Sequence, residues 1–322
     1  MSRNVVIDGV RSLCAIYIIC FWHLTDYLPN RMGVANNDMF SFFASIGTII
    51  SLAGFSFISG FCLSKYNINS IYDFLPFYSK RLKRFYPLFL LSALSLYLAG
   101  IFTEHTWFVS TKQFITTVLG LNLFFPPITM TLWYFSMIMF FYFITPFVLY
   151  CRNDKFKTSF VLLCILMILL IVNHYHKIDY NLFKYLPFYL LGLLIPRRIV
   201  DDGFYQRKVY LFVSIIIIGV CTWLCFKYNE NKLLIHIIQY IAMLSGIVLL
   251  FALSNVIKCS FLSVVSYASM TAYLFHRQFY FVSIKLFADA DGYLNIFSAL
   301  ITSLVIFLFS FYIQKCYDRI TR

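Results

Sequence analysis

Two histidines and a pair of arginines are the groups in this chain best placed to do chemistry in an otherwise apolar sequence. His23 follows Phe21-Trp22 and has Asp26 three residues further on. Positions i and i+3 are neighbours on a helix, so the carboxylate can hold the imidazole by a hydrogen bond. An imidazole held in this way can take the proton of a hydroxyl as it attacks an electrophile. The same residues also suit a membrane interface, where Trp22 and Tyr27 would flank the histidine in an aromatic belt. His276 belongs to a second set. Ser266, Ser269, Tyr273, His276, Arg277 and Tyr280 fall within a stripe about 100° wide on a helix, which should face a bundle interior or a water-filled cavity. Arg81 and Arg84 stand three apart in Lys80-Arg81-Leu82-Lys83-Arg84. On a helix they share a face one turn apart, a spacing suited to forked contacts with phosphate oxygens, whether of a ligand or of lipid headgroups. Arg11 precedes His23 by twelve residues, which places the histidine about 18 Å further along a helix.

The elements that must position these groups are membrane spans. Hydrophobic residues make up 61% of the 322 residues and charged residues only 12%, half the usual share in a soluble protein. Met39–Ser64, Gln113–Cys151, Leu233–Ile257 and Gly292–Gln314 contain no Asp, Glu, Lys or Arg, and each exceeds the roughly 20 residues that cross a bilayer. The chain therefore reads as an all-α polytopic membrane protein. A soluble enzyme, a secreted disulfide scaffold and a nucleic-acid-binding domain are excluded. The net charge of +13 is spread over short segments between apolar runs, as topology signals are. The nine cysteines show no C-x-x-C pair and sit mostly within apolar runs, as buried thiols rather than metal ligands. The first apolar run has no small-residue cleavage site and reads as a retained span.

Apolar runs fall at about 12–28, 39–63, 86–102, 113–125, 132–151, 158–173, 182–196, 209–226, 233–254, 261–284 and 293–314. The fourth is too short to cross and ends at Pro126-Pro127, so it reads as a re-entrant or interfacial piece. Ten crossings with both termini cytoplasmic keep most of the 26 Lys and Arg on one side, whereas a crossing at 113–125 would reverse Arg152, Lys155, Lys157, Arg197 and Arg198. No repeat and no long linker is evident, so residues 1–322 read as one transmembrane domain.

In order along the chain, several short motifs resemble the acyltransferase-3 family of bacterial membrane acyltransferases. Ile7-Asp8-Gly9-Val10-Arg11-Ser12-Leu13 followed by Phe21-Trp22-His23 is similar to its opening Arg-to-His signature. Phe57-Ile58-Ser59-Gly60-Phe61 is similar to the F-x-S-G-F that closes its second span, and Arg81-Leu82-Lys83-Arg84 with Tyr86-Pro87 to its R-x-x-R and Y-P. Leu132-Trp133-Tyr134 with Thr145-Pro146, then Phe188-Tyr189-Leu190-Leu191-Gly192, and Ser266 with Tyr273-Leu274-Phe275-His276 continue the match.

The resemblance implies transfer of an acetyl group from cytoplasmic acetyl-CoA to a sugar hydroxyl of a surface polysaccharide or its lipid-linked precursor, such as an O-antigen unit, at a bacterial inner membrane. It implies His23 as general base, with Asp26 and His276 beside it in catalysis. Arg11, Ser59, Arg81 and Arg84 would serve the donor, Trp133 and Tyr273 the acceptor, and no metal is called for. A glycan transporter without covalent chemistry and an acyltransferase using succinyl-CoA are the alternatives. Two departures stand out. Eleven residues separate Arg11 from His23. The family's spacing is one shorter, which would leave the two about 20° apart around a helix, against about 120° here; either Arg11 precedes regular helix or a π-bulge absorbs the extra residue. Where many members carry an acid in the fifth span, this chain has Ile138 and Met139.

Overall fold

Long apolar segments with polar caps leave the chain little choice but helix. The computed structural model describes residues 4–29, 39–103, 110–126, 128–257 and 259–321, and among them it contains helices and no strand. In chain order they are α1 (Val5–Ile16), which runs on as a π-helix over Tyr17–His23, then α2 (Met39–Leu63), α3 (Phe74–Thr103), α4 (Thr111–Val118), α5 (Leu132–Cys151) and α6 (Lys155–His176). There follow α7 (Tyr180–Leu194), α8 (Arg197–Asp201), α9 (Lys208–Lys227), α10 (Lys232–Val256), α11 (Ser260–Phe287) and α12 (Ile296–Thr321). Side chains of Asn4, Ser110, Asp154, Asp179 and Asn231 accept from the first free backbone N–H groups of α1, α4, α6, α7 and α10, and so fix where those helices begin.

Among the described residues, eight helical segments are long and apolar enough to cross a membrane, and this is an all-α membrane protein. α7 has 15 residues, and α11 has 28 but carries the polar stripe. Most apolar side chains of α6 stay exposed or half-buried, with Leu169 alone buried, as suits a helix that faces lipid. Several boundaries differ from the sequence reading, and two of them bear on the site. The segment expected over 113–125 is helical only over Thr111–Val118, and Gly120 then turns the chain with φ +72°. The span expected to start near residue 86 begins at Phe74, because the basic run is itself good helix-forming sequence.

The chain divides into two compact units, one of residues 1–58 with 196–319, the other of residues 59–195 with 320–322. In the first, α11 lies along α1. The Ser254 hydroxyl, near the end of α10, donates to the Val6 carbonyl (2.6 Å), and the Ser12 hydroxyl donates to the Leu262 carbonyl. The start of α1 thus shares an end of this unit with the α10–α11 connection. At the other end, the Leu294 N–H from the α11–α12 loop donates to the Tyr27 carbonyl (2.9 Å). In the second unit, the Asp179 N–H donates to the Leu123 carbonyl (2.9 Å), tying the α6–α7 loop to the α4–α5 loop. The Arg152 guanidinium, just after α5, bonds the Ser64 carbonyl (2.6 Å) and the Asn67 side chain, tying the α5–α6 turn to the α2–α3 loop. Helices in each unit therefore alternate between two ends, and the second unit's Arg152 end also carries Lys65, Lys155 and Lys157.

Candidate active site

The extra residue between Arg11 and His23 is taken up by the π-helical stretch over Tyr17–His23. Widening the turns to the i→i+5 pattern absorbs one residue, about 100°, and brings the offset between Arg11 and His23 back to about 20°. Arg11 itself is half-buried on α1. The wide turns are buttressed by α11. The Tyr280 hydroxyl donates to the Ile19 carbonyl (3.0 Å) within the π-helix and also meets the Ser303 hydroxyl on α12 (2.8 Å).

This packing stacks the two histidines. The rings of His23 and His276 lie 4.8 Å apart, inclined by 27°. His276 is fully buried, and its Nδ1 lies 2.8 Å from the Tyr273 carbonyl one turn earlier on α11. His276 Nε2 is also buried and meets no hydrogen-bond partner among the described residues. Tyr273, expected at the acceptor, is buried with its ring edge-on to both Phe55 (6.3 Å) and His276 (5.6 Å).

Asp26 meets His23, as the spacing suggests, and has a second partner besides. Its Oδ2 is 3.5 Å from His23 Nδ1 but 3.0 Å from Arg277 Nη2. Arg277 is the centre of the cluster. Its Nη2 lies 2.5 Å from His23 Nδ1, and its Nη1 donates to the Tyr27 hydroxyl (2.7 Å). Tyr27 in turn stacks on Tyr280 at 4.6 Å. Sequence reasoning places Arg277 in the stripe but gives it no task. Its partners lie about 250 residues away along the chain, which no local pattern reports.

The stripe on α11 faces inward as expected, but it is packed rather than water-lined. Ser266, Ser269, Tyr273, His276, Arg277 and Tyr280 are each no more than 5% exposed. The Ser266 hydroxyl donates to Asp8 Oδ1 (2.8 Å), so α1 covers much of the stripe. Of the residues off the stripe, Val264 is exposed and Thr271 is buried, donating to Gln314 on α12 (2.7 Å).

The remaining expected residues lie in the second unit. Arg81 and Arg84 are both on α3, so the one-turn spacing holds. The Arg81 guanidinium lies over the Tyr66 ring (4.6 Å) and near that of Phe77 (5.6 Å). Arg81 Nε is buried and meets no hydrogen-bond acceptor among the described residues, while Arg84 is exposed. Tyr66 also carries Lys65 Nζ at 5.7 Å from its ring centre. A cation with an unanswered buried donor, beside further exposed cations, is a site that fits a phosphate-type anion. Ser59 is half-buried on α2, and its neighbour Gly60 packs directly on α7. Trp133 is half-buried at the start of α5, stacked on Tyr185 at 6.2 Å. In α5, Ile138 is buried and Met139 packs near Gly120, so neither position offers a carboxylate. Local sequence says less about this unit: Arg152, which fastens the 64–67 loop that carries Tyr66, gives no signal beyond its charge.

Compared with known proteins, residues 4–315 match a family model described as an acyltransferase domain, that of the acyltransferase-3 family. No curated protein and no solved structure matches the chain.

Proposed function

Since the chain belongs to the acyltransferase-3 family and is a membrane acyltransferase, we propose that it transfers an acetyl group from acetyl-CoA to a sugar hydroxyl of a surface polysaccharide or its lipid-linked precursor. The observation that carries this reading is the buried, stacked pair His23 and His276, braced by Arg277 and Asp26. An imidazole pair of this kind can move a proton from an attacking hydroxyl to a leaving group without any other acid or base.

In this reading the chain crosses the membrane ten times, α7 and α11 included, with both termini and the basic ends cytoplasmic, as the positive-inside bias favours. The membrane is then a bacterial inner membrane. Arg81 and Arg84 hold the phosphates of the donor at the cytoplasmic face, with Ser59 and Arg11 serving the rest of it. The unanswered Arg81 Nε supports this assignment. Bound acetyl-CoA supplies an activated thioester. The resemblance assigns Trp133 and Tyr273 to the acceptor. His23 and His276, towards the outer ends of α1 and α11, handle the proton.

Mass spectrometry of surface glycan from cells with and without the protein tests the proposal. An acetyl increment that depends on the protein and is removed by mild base is the expected result. Identical glycan masses would refute it, and a succinyl increment would replace the donor.

A further inference from the structure

Two imidazoles side by side need not play the same part, and the groups around them distinguish their nitrogens. A guanidinium offers only N–H donors, so at 2.5 Å from Arg277 Nη2, a much shorter contact than the 3.5 Å to Asp26 Oδ2, His23 Nδ1 presents its lone pair. A neutral His23 then carries its hydrogen on Nε2. The Tyr273 carbonyl can only accept, so His276 Nδ1, at 2.8 Å, must carry the hydrogen of that ring. The lone pair of His276 is therefore on Nε2, buried and without a partner among the described residues. The stacked rings hold opposite tautomers.

We propose that Arg277 sets this asymmetry, making His276 Nε2 the proton acceptor of the reaction and His23 Nε2–H the hydrogen-bond donor to the developing oxyanion; the proposal rests on the acyl-transfer reading of the same site. For His23 to be the base at Nε2, its hydrogen would have to move to Nδ1, where it would meet the N–H of Arg277 head-on. Arg277 is not free to swing away. It is buried and held by the Tyr27 hydroxyl at 2.7 Å and by Asp26 at 3.0 Å. Asp26 thus acts on His23 through the guanidinium, and both are positioning residues. In the step itself, the acceptor hydroxyl oxygen bonds to the thioester carbonyl carbon while its proton passes to His276 Nε2. The carbon–sulfur bond breaks, and the imidazolium returns the proton to the leaving thiolate. The products are an ester and a free thiol, with both histidines restored.

Imidazole nitrogen-15 shifts distinguish the two tautomers, and they can be read in the purified, unmodified protein with neither donor nor acceptor present. The outcome is therefore independent of whether acyl transfer is the function. The His276 signals are identified by their contact with the Tyr273 ring, and those of His23 by their contact with His276. The expected result is hydrogen on Nε2 of His23 and on Nδ1 of His276. Finding His23 protonated at Nδ1 overturns the proposal. Arg277→Lys keeps a cation beside Asp26 but loses the planar fork. It should shift His23 towards the Nδ1–H form, now donating to Asp26, and leave His276 unchanged; an unmoved His23 signal would show that Arg277 does not set the tautomer. In acetyl transfer, His276→Gln should lose about 10²–10⁴-fold. His23→Gln, which retains an N–H donor, should lose less, and the reverse order would contradict the assignment.

Discussion

Gly60 is the position where one methyl group most directly tests the packing behind the F-x-S-G-F motif. A Cβ built there would lie 2.1 Å from the Tyr189 carbonyl oxygen and 2.8 Å from the Leu193 nitrogen, both backbone atoms of α7. Real Cβ contacts stay above 3.0 Å, so α2 and α7 must part by about an ångström, and no side chain can swing aside to absorb it. Overpacking of this kind costs about 1–3 kcal/mol. Tyr189 would move with its backbone. Its hydroxyl bonds that of Thr145 in a buried site, and its ring stacks on Phe141 at 4.5 Å. Loosening the hydrogen bond adds about 1–3 kcal/mol and the ring contact about 0.5–1.5 kcal/mol. Gly60→Ala should therefore destabilise by about 3 kcal/mol or more, seen as a clear fall in the thermal unfolding midpoint in a fixed detergent. Gly219→Ala is the matched control. That glycine lies within α9 with nothing within 4 Å of an added Cβ, so its variant should be neutral or gain up to about 1 kcal/mol of helix propensity. Equal midpoints for the two variants would refute the reasoning.

Other perturbations have signs as definite. Arg81→Lys and Arg84→Lys should each weaken acetyl-CoA binding by about 10–150-fold, the equivalent of about 1.5–3 kcal/mol for a charge-assisted contact, because Lys cannot make the forked contact; unchanged binding isotherms would make them lipid anchors. Ser266→Ala removes a donor from the buried Asp8 carboxylate and should cost about 1–3 kcal/mol in unfolding. Ser269→Ala, whose hydroxyl among the described residues bonds within its own helix, should be much milder, and equal losses would contradict this ranking. Asp154 caps α6, and the backbone N–H of Lys157, then that of Phe156, hold its carboxyl below the usual range. A lowered folded-state value means a contribution that is full above the ordinary carboxylate range and lost as the pH falls through the lowered one. Asp154→Asn should flatten that acid-side slope in a stability-against-pH series, and an unchanged slope would show that the cap carries none of it.

Features that repeat with helical period, or that follow from charge, are legible in the sequence. The polar stripe of α11 is legible because its residues recur on one face of a helix, and it does face inward. The departure in spacing between Arg11 and His23 leaves two readings, a late start of regular helix or a π-bulge, and the wide turns at Tyr17–His23 decide for the second. Contacts between distant segments are not legible. Ser12 meets the carbonyl of Leu262, and His23 meets Arg277, each across about 250 residues, and nothing near either residue announces its partner. Spacing pairs Asp26 with His23 because three residues separate them, yet its shorter contact is to an arginine from another helix. The start of α3 differs for another reason: hydropathy falls at Lys80–Arg84, whereas helix propensity does not.

The central claim is that the donor is bound at the basic face and the acetyl group is delivered at the other. Sealed membrane vesicles of defined orientation, given labelled acetyl-CoA outside only, test it directly. Vesicles with the basic face outward should accumulate base-labile label in glycan that external glycan-cleaving enzymes cannot reach, and vesicles of the opposite orientation should not. Labelling of oppositely oriented vesicles from external donor, or label confined to glycan on the donor's own side, would contradict the account.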